Sequence, residues 1–278
     1  MSLSTEPEAP SECDASFVSA DGLHLSGTFV PGGSAASSVT VLVHGGGATR
    51  DETGFFTRLA HGLTRAGMAS LRFDLRGHGR SEGRQEDLTL AGVVNDIRAA
   101  VAYARVTAGG VPINVVGTSF GGGISGFYTA RYPAEVRRLV LFNPLIEYRR
   151  RFVDDKPYWH DGRIDEAAGR ELTERGSLVH SPTFRLGRAL LNEVFYLRPD
   201  EAMAQIVTPT LFVHGTKDTF VPIESSRRYV GRIQAEARLV EIDGAQHGFA
   251  VHNDPQYQHP QTGEWQAEVI RTVADWLA

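Results

Sequence analysis

Four short segments of the chain carry residue types that suit nucleophilic catalysis, and the first contains a serine. Residues 117–121 read Gly-Thr-Ser-Phe-Gly, which places Ser119 between two glycines. In a G-x-S-x-G motif the serine occupies a strained turn from a strand to a helix, and the glycines remove side chains that would collide there. The apolar run Ile-Asn-Val-Val at 113–116 supplies the strand. Ser119 is therefore the candidate nucleophile, rather than part of an ordinary Gly/Ser turn.

A serine nucleophile needs a base to take its proton and a carboxylate to orient that base. Two further segments offer these groups: His-Gly-Thr-Lys-Asp at 214–218 and Gly-Ala-Gln-His-Gly-Phe at 244–249. Each follows an apolar run that predicts a strand, so both are expected at the same edge of a sheet as Ser119. We predict His247 as the general base and Asp218 as the group that orients it.

The fourth segment, His-Gly-Gly-Gly at 44–47, also follows a strand-like run. Glycines at such a place let backbone N–H groups approach an oxyanion, which a tetrahedral intermediate requires. The predicted donors are the backbone N–H groups of Gly46 and Phe120. His44 is expected to brace the loop rather than to take part in the reaction.

The elements that position these residues alternate between strands and helices. Such alternation predicts right-handed βαβ units and an α/β fold with one mostly parallel sheet flanked by helices. An Asp21-Gly22 turn joins two earlier strands at 16–20 and 23–30. The predicted strands that follow are 39–43, 69–73, 113–116, 139–142, 210–213 and 238–242, and the predicted helices are 54–66, 90–106, 120–131, one from about 224, and 264–277.

The alternation is interrupted once, and this suggests the domain organisation. Residues 145–203 are charged and aromatic and show no clear apolar strand, so we predict a mostly helical cap insertion there. Residues 15–144 and 204–278 form the predicted core, and residues 1–14 a disordered or frayed tail. Trp159, Phe195 and Tyr196 are the candidate substrate-binding residues of the cap, although they could equally pack the cap onto the core.

Composition narrows the class of protein further. The 278 residues are 41% hydrophobic and carry a net charge of -5, which is ordinary for a globular protein and argues against a nucleic-acid partner. No apolar run approaches a membrane span, the first residues do not resemble a signal peptide, and a single cysteine fits a reducing compartment, so a cytoplasmic location is expected.

The oligomeric state is left open. Acidic and histidine residues at 154–161 lack a compact ligand spacing, so no metal is predicted. The arginines at 149–151 suit a solvated surface better than an anion site.

Beyond these motifs the chain resembles a known group of enzymes. Arg-Phe-Asp-Leu-Arg-Gly-His-Gly-Arg-Ser-Glu-Gly at 72–83, Glu-Asp-Leu-Thr at 86–89, and the 214–218 segment with Val221-Pro222 resemble intracellular feruloyl (cinnamoyl) esterases and monoacylglycerol lipase-like enzymes. These belong to the α/β-hydrolase superfamily, in which the catalytic residues follow in the order serine, acid, histidine. The resemblance implies the α/β-hydrolase fold, the same three catalytic residues, a small-molecule ester substrate and no cofactor.

Two departures from that resemblance affect specificity. Gly46 stands where such feruloyl esterases often have a bulky residue, which predicts a more open acyl side of the site. The insertion at 145–203 does not match the feruloyl esterase insertion, so phenolic specificity does not carry over.

Several functions remain open at this point. The preferred one is hydrolysis of a carboxylic ester with a small or medium acyl or aryl group, through an acyl-enzyme. The same residues could instead cleave a thioester or a carbon–carbon bond. A non-catalytic ligand-binding protein of the same fold is disfavoured, because binding alone does not require all three catalytic side chains.

Overall fold

The computed structural model describes residues 10–33 and 35–278 and contains a central sheet of eight strands in the order β1-β2-β4-β3-β5-β6-β11-β12. The strands are β1 Cys13–Val18, β2 His24–Val30, β3 Val39–Val43, β4 Ala69–Phe73, β5 Ile113–Thr118, β6 Arg138–Phe142, β7 Trp159–His160, β8 Arg163–Ile164, β9 Ser177–Ser181, β10 Phe184–Gly187, β11 Thr210–Gly215 and β12 Ala237–Ile242.

The sheet is parallel except at one edge. Strands β3, β4, β5, β6, β11 and β12 run parallel to one another, whereas β2 pairs antiparallel with both β1 and β4. In register, Val39 pairs with Ala69 on one side and with Ile113 on the other. Because every residue of β3, β4 and β5 is buried, these strands read in the sequence as nearly continuous apolar runs.

Helices cover both faces of the sheet. Leu42 packs with α1 and α8 on one face, and its neighbours Val41 and Val43 pack with α2 and α3 on the other. The predicted α/β fold with a mostly parallel sheet is thereby confirmed. No helix of the described residues is long and apolar enough to span a membrane. The helices are α1 Phe55–Arg65, α2 Leu90–Thr107, α3 Ser119–Arg131, α4 Glu166–Arg175, α5 Arg188–Glu193, α6 Pro199–Ala202, α7 Glu224–Val230 and α8 Pro260–Leu277.

The segment 145–203 contains more than helices. Besides α4, α5, α6 and a π-helical turn at Arg150–Asp154, it forms two antiparallel hairpins, β7 with β8 and β9 with β10. These two hairpins were not predicted from the sequence. Only Leu178 of β9 and the residues Phe184 and Leu186 of β10 present large apolar side chains to the interior, so the sequence carries a weak strand signal. The boundaries of the cap and the core remain predictions.

The start of the chain also differs from expectation. Residues 1–9 of the predicted tail lie outside the described residues. Cys13 and Asp14, which the prediction placed in the tail, are the first residues of β1 and pair with Phe29 and Thr28. Just before them, Glu12 Oε2 accepts a hydrogen bond of 2.8 Å from Arg72 Nη2. This part of the chain is therefore held to the sheet rather than frayed.

Candidate active site

Ser119 occupies the turn between β5 and α3. Its φ of 49° lies in the left-handed region, which costs a residue with a side chain about 1–3 kcal/mol. Glycine is needed on both sides, because a Cβ at Gly117 would collide with Ser125 and one at Gly121 with the carbonyl oxygen of His44. The Ser119 carbonyl accepts a 2.9 Å hydrogen bond from the Leu145 N–H. The strain and these contacts present the hydroxyl at the carboxyl edge of the sheet, at the positive end of a helix.

Asp218 and His247 come from the loops after β11 and β12 and meet at the same edge. Asp218 Oδ2 lies 2.7 Å from His247 Nδ1, and Oδ1 accepts hydrogen bonds from the N–H groups of Phe220 at 2.8 Å and Val221 at 2.9 Å. Burial opposes ionisation of Asp218, but the charge of His247 and hydrogen bonds from His214, His247 and Val221 hold its pKa well below the usual value. Asp218 is therefore an anion that binds Nδ1 of His247 and leaves Nε2 free to take a proton.

The glycine loop lies beside the serine. A Cβ on Gly45 would sit 3.2 Å from Ser119 Cβ and 3.3 Å from Glu52 Oε1. His44 is fully buried, with Nδ1 2.7 Å from the Gly45 carbonyl and Nε2 accepting from the Leu75 N–H at 2.9 Å. Burial and the charge of His78 lower the pKa of His44 to about 3, so the ring is neutral. His44 thus braces the loop.

Hydrogen bonding within this loop singles out one free donor. The N–H of Gly45 donates to Glu52 Oε1 at 2.5 Å, and that of Gly47 donates to His78 Nε2 at 3.0 Å. Among the described residues the N–H of Gly46 meets no acceptor. Phe120 is the second residue of α3, where backbone N–H groups have no acceptor inside the helix. Both predicted oxyanion donors are thus free to bind an oxyanion, and their role in the reaction stays a prediction.

A row of rings covers this edge of the sheet. Phe184 of β10 packs on Phe120 with 5.1 Å between ring centroids and on His180 with 6.0 Å. His180 is 6.3 Å from Phe220, and Phe220 is 5.0 Å from His247. The segment 145–203 therefore contributes apolar cover between the start of α3 and the histidine.

Comparison with known proteins assigns the chain to a family. The sequence model of the hydrolase family described as "Serine aminopeptidase, S33" matches residues 34–256, which is most of the chain. The chain belongs to this family.

Individual relatives and solved structures agree with this S33-family assignment. The chain is 29% identical over 271 residues to a monoacylglycerol lipase of Mycolicibacterium smegmatis, with 86% of this chain and 87% of the lipase covered. It is 25% identical over 217 residues to a bifunctional esterase/perhydrolase of Acinetobacter calcoaceticus, covering 66% of this chain and 76% of that protein. Among solved structures, Est1E from Butyrivibrio proteoclasticus with bound ferulic acid superposes with a TM-score of 0.73 at 22% identity, covering 94% of this chain and 100% of Est1E. These structural likenesses establish the α/β-hydrolase fold.

The space beside Gly46 in this S33-family hydrolase is filled rather than open. An open site was expected because Gly46 replaces a bulky residue. A Cβ at Gly46 would lie 2.7 Å from a ring carbon of Phe184, so the space is taken by a ring from residues 145–203. The expectation failed because a residue distant in sequence fills the gap.

Among the described residues, the three aromatics predicted to bind substrate make no ring contact with Phe120 or His247, and their role stays a prediction. Trp159 and Phe195 pack against each other with 5.6 Å between centroids. Tyr196 is 87% exposed and shares a surface depression with Phe127. Phe127 is eight residues along α3 from Ser119, or about 12 Å at 1.5 Å per residue. The side chains that contact the site are those of Phe184 and Phe220 instead.

Sequence reasoning also missed a carboxyl group beside the loop. Glu52 has a φ of 44° and accepts the Gly45 N–H. Burial raises the pKa of Glu52, while that hydrogen bond and the charge of His247 oppose the rise. No sequence motif marks Glu52, so the sequence could not identify it. Phe220 follows Asp218 by two positions, and it could have been predicted with the loop that places Asp218 at the edge of the sheet. Within the described residues no group of three or more His, Cys, Asp or Glu forms a metal-binding cluster, and independence from metal remains a prediction.

Proposed function

We propose that this S33-family α/β-hydrolase cleaves carboxylic esters with Ser119 as nucleophile, His247 as general base and Asp218 as the orienting carboxylate. The observation that carries the proposal is the 2.7 Å contact between Asp218 Oδ2 and His247 Nδ1, at the edge of the sheet where the strained Ser119 turn also lies. A carboxylate on Nδ1 selects the tautomer whose Nε2 can accept a proton. The lipase and esterase relatives support ester hydrolysis.

The reaction follows from these groups in two halves. Ser119 Oγ attacks the acyl carbon while His247 Nε2 takes its proton, and the N–H groups of Gly46 and Phe120 stabilise the oxyanion. The carbon–oxygen bond then breaks, and His247 returns the proton to the leaving alcohol. Water attacks the acyl-enzyme with the help of His247, which releases the acid and restores Ser119. Asp218 stays ionised throughout.

The substrate class in this proposal is an ester with a small or medium acyl or aryl group. The rings of Phe184 and Phe220 supply an apolar surface next to the reacting centre, and apolar, aromatic linings are typical of ligand sites. Ferulic acid bound to the structurally similar Est1E is consistent with an aryl acid at such a surface. We assign substrate selection to residues 145–203.

A substrate panel tests the proposal. 4-Nitrophenyl esters, acyl thioesters and aminoacyl 4-nitroanilides are compared with the wild-type protein and Ser119→Ala. Ester turnover should be the fastest and should fall by roughly 10⁴–10⁶-fold in Ser119→Ala. An exposed serine, Ser37, provides the matched control, and Ser37→Ala should keep full activity. Faster thioester or anilide turnover would reassign the scissile bond, and equal rates in Ser119→Ala would overturn the proposal.

We also propose a cytoplasmic location. Cys13 is the only cysteine of the chain, so no internal disulfide is available for an oxidising compartment. Fractionation of cells that express the tagged protein tests this, and recovery in the secreted fraction would contradict it.

A further inference from the structure

A cavity of about 300 Å³ opens beside the proposed catalytic residues. Two of its lining residues contact them directly: Leu145 donates a hydrogen bond to the Ser119 carbonyl, and the ring of Phe220 packs on His247. Arg150 and Arg151 of the π-helical turn Arg150–Asp154 also line it. The cavity therefore lies next to residues that contact Ser119 and His247, and its volume can hold part of a substrate.

The acidic groups that line this cavity are all compensated. Glu147 lies 3.1 Å from Arg228, and Asp155 lies 3.7 Å from Arg150. Glu224 lies 3.5 Å from Arg227. None of these carboxylates is left to bind a cationic ligand such as a substrate ammonium group.

Arg151 is the exception among the cavity's charged residues. Within residues 10–33 and 35–278 no carboxylate lies within 4 Å of its guanidinium, and its buried Nε has no hydrogen-bond partner. Burial lowers the pKa of Arg151, against the opposing charges of Asp155 and Asp218. Arg151 is half-buried, so water screens its charge less than that of a fully exposed arginine, and it attracts an anion more strongly.

The position of Arg151 ties it to the reaction centre. Its Cζ lies 4.4 Å from the centroid of the Phe220 ring, and the same ring packs on His247 at 5.0 Å. The guanidinium of Arg151 is therefore separated from the proposed general base by a single aromatic ring.

We propose that Arg151 binds a carboxylate of the substrate, so that the preferred ester carries a free acid group away from the scissile bond. The inference rests on the proposed ester hydrolysis and specifies its substrate. A planar carboxylate matches the two parallel N–H donors of a guanidinium. A phosphate dianion fits less well, because among the described lining residues Arg151 is the one cation without a carboxylate partner and it balances a single negative charge.

A matched pair of substrates tests the subsite. Mono-4-nitrophenyl adipate carries a terminal carboxylate, and 4-nitrophenyl methyl adipate has the same chain without the charge. The wild-type protein should favour the acid, and the ratio of the two kcat/KM values should fall about tenfold or more in Arg151→Met. Arg151→Lys should recover part of the ratio. Arg149→Met removes one charge from the neighbouring position, outside the cavity lining, and should leave the ratio within about twofold. An unchanged ratio in Arg151→Met would overturn the subsite.

A binding measurement separates this inference from the catalytic proposal. Monomethyl adipate is titrated calorimetrically into Ser119→Ala, with and without Arg151→Met, and melting curves verify that each variant is folded. Binding that is lost only with Arg151→Met supports the subsite even when no ester is turned over, which would contradict the proposed function alone. Equal binding in both variants, or none in either, contradicts the subsite.

Discussion

The contact between Gly46 and Phe184 predicts a strong effect of adding a single methyl group. In Gly46→Ala the new Cβ would lie 2.7, 2.9 and 3.1 Å from three ring carbons of Phe184, whereas carbon atoms prefer a separation of about 3.5–4.0 Å. The ring and the loop must therefore separate by about 0.8 Å or more. An oxyanion donor acts only when its N–H lies about 2.7–3.1 Å from the oxygen, so a displacement of this size removes most of its contribution.

The expected magnitude follows from both consequences. Overpacking of this kind costs about 1–3 kcal/mol of stability. Loss of one oxyanion donor lowers kcat by about 10²–10³-fold, and we expect a fall in this range with KM changed little. The double variant Gly46→Ala/Phe184→Ala lacks the phenyl ring and therefore the collision, so it should regain a large part of the kcat lost in Gly46→Ala.

The assay is a double-mutant cycle on 4-nitrophenyl butyrate hydrolysis, with a melting curve for each variant. Gly169→Ala, in α4 of the same segment, is the matched control, because its Cβ would meet nothing closer than 4.0 Å. If Gly46→Ala kept wild-type activity, the ring of Phe184 could not lie as close to residue 46 as the structure places it. A double variant no better than Gly46→Ala would refute the collision as the cause of the loss.

Four further predictions follow from the site. Asp218→Asn should lower kcat by about 10⁴-fold while Asp243→Asn has little effect, because Asp243 bonds Thr216 instead of the histidine; equal losses would contradict the assignment. The pKa of Asp218 is lower in the folded protein than its unfolded value of about 3.9, so the ionised carboxylate stabilises the fold above that pH. The difference in the free energy of unfolding between wild type and Asp218→Asn, measured in urea, should therefore narrow as the pH falls below that value. A gap that widens there would contradict it. Glu52→Gln keeps an acceptor for the Gly45 N–H and should retain more activity than Glu52→Ala; the reverse ranking would contradict this role of Glu52. Ester hydrolysis should survive EDTA, and activity that is lost with EDTA and restored by a metal would contradict independence from metal.

The predictable part of the molecule is the part whose sequence signal is local. Strands β3 and β4 occur at the predicted residues, because a strand buried on both faces has a mostly apolar sequence that can be recognised as a short run. Their order along the chain then places Ser119, Asp218 and His247 at one edge. β1 was harder to recognise at its start, because Cys13 and Asp14 are exposed and only alternate residues after them are buried.

The unpredictable part depends on contacts between distant residues. Phe184 closes the space left by Gly46, although 138 positions separate them. The aromatic content of residues 145–203 does not distinguish Phe184, which packs on Phe120, from Tyr196, which is exposed. Likewise, nothing local distinguishes Arg151 from Arg150, since only the fold gives Arg150 a carboxylate partner.

The most direct test of the catalytic assignment is covalent labelling with a fluorophosphonate, which reacts with a serine activated by a neighbouring base. The folded protein is labelled, digested and mapped by mass spectrometry, with Ser119→Ala and Ser37→Ala treated in parallel. If Ser119 is the nucleophile, we expect one labelled peptide, which contains Ser119, and loss of labelling only in Ser119→Ala. Labelling of another serine, or of none in the folded protein, would contradict Ser119 as the nucleophile.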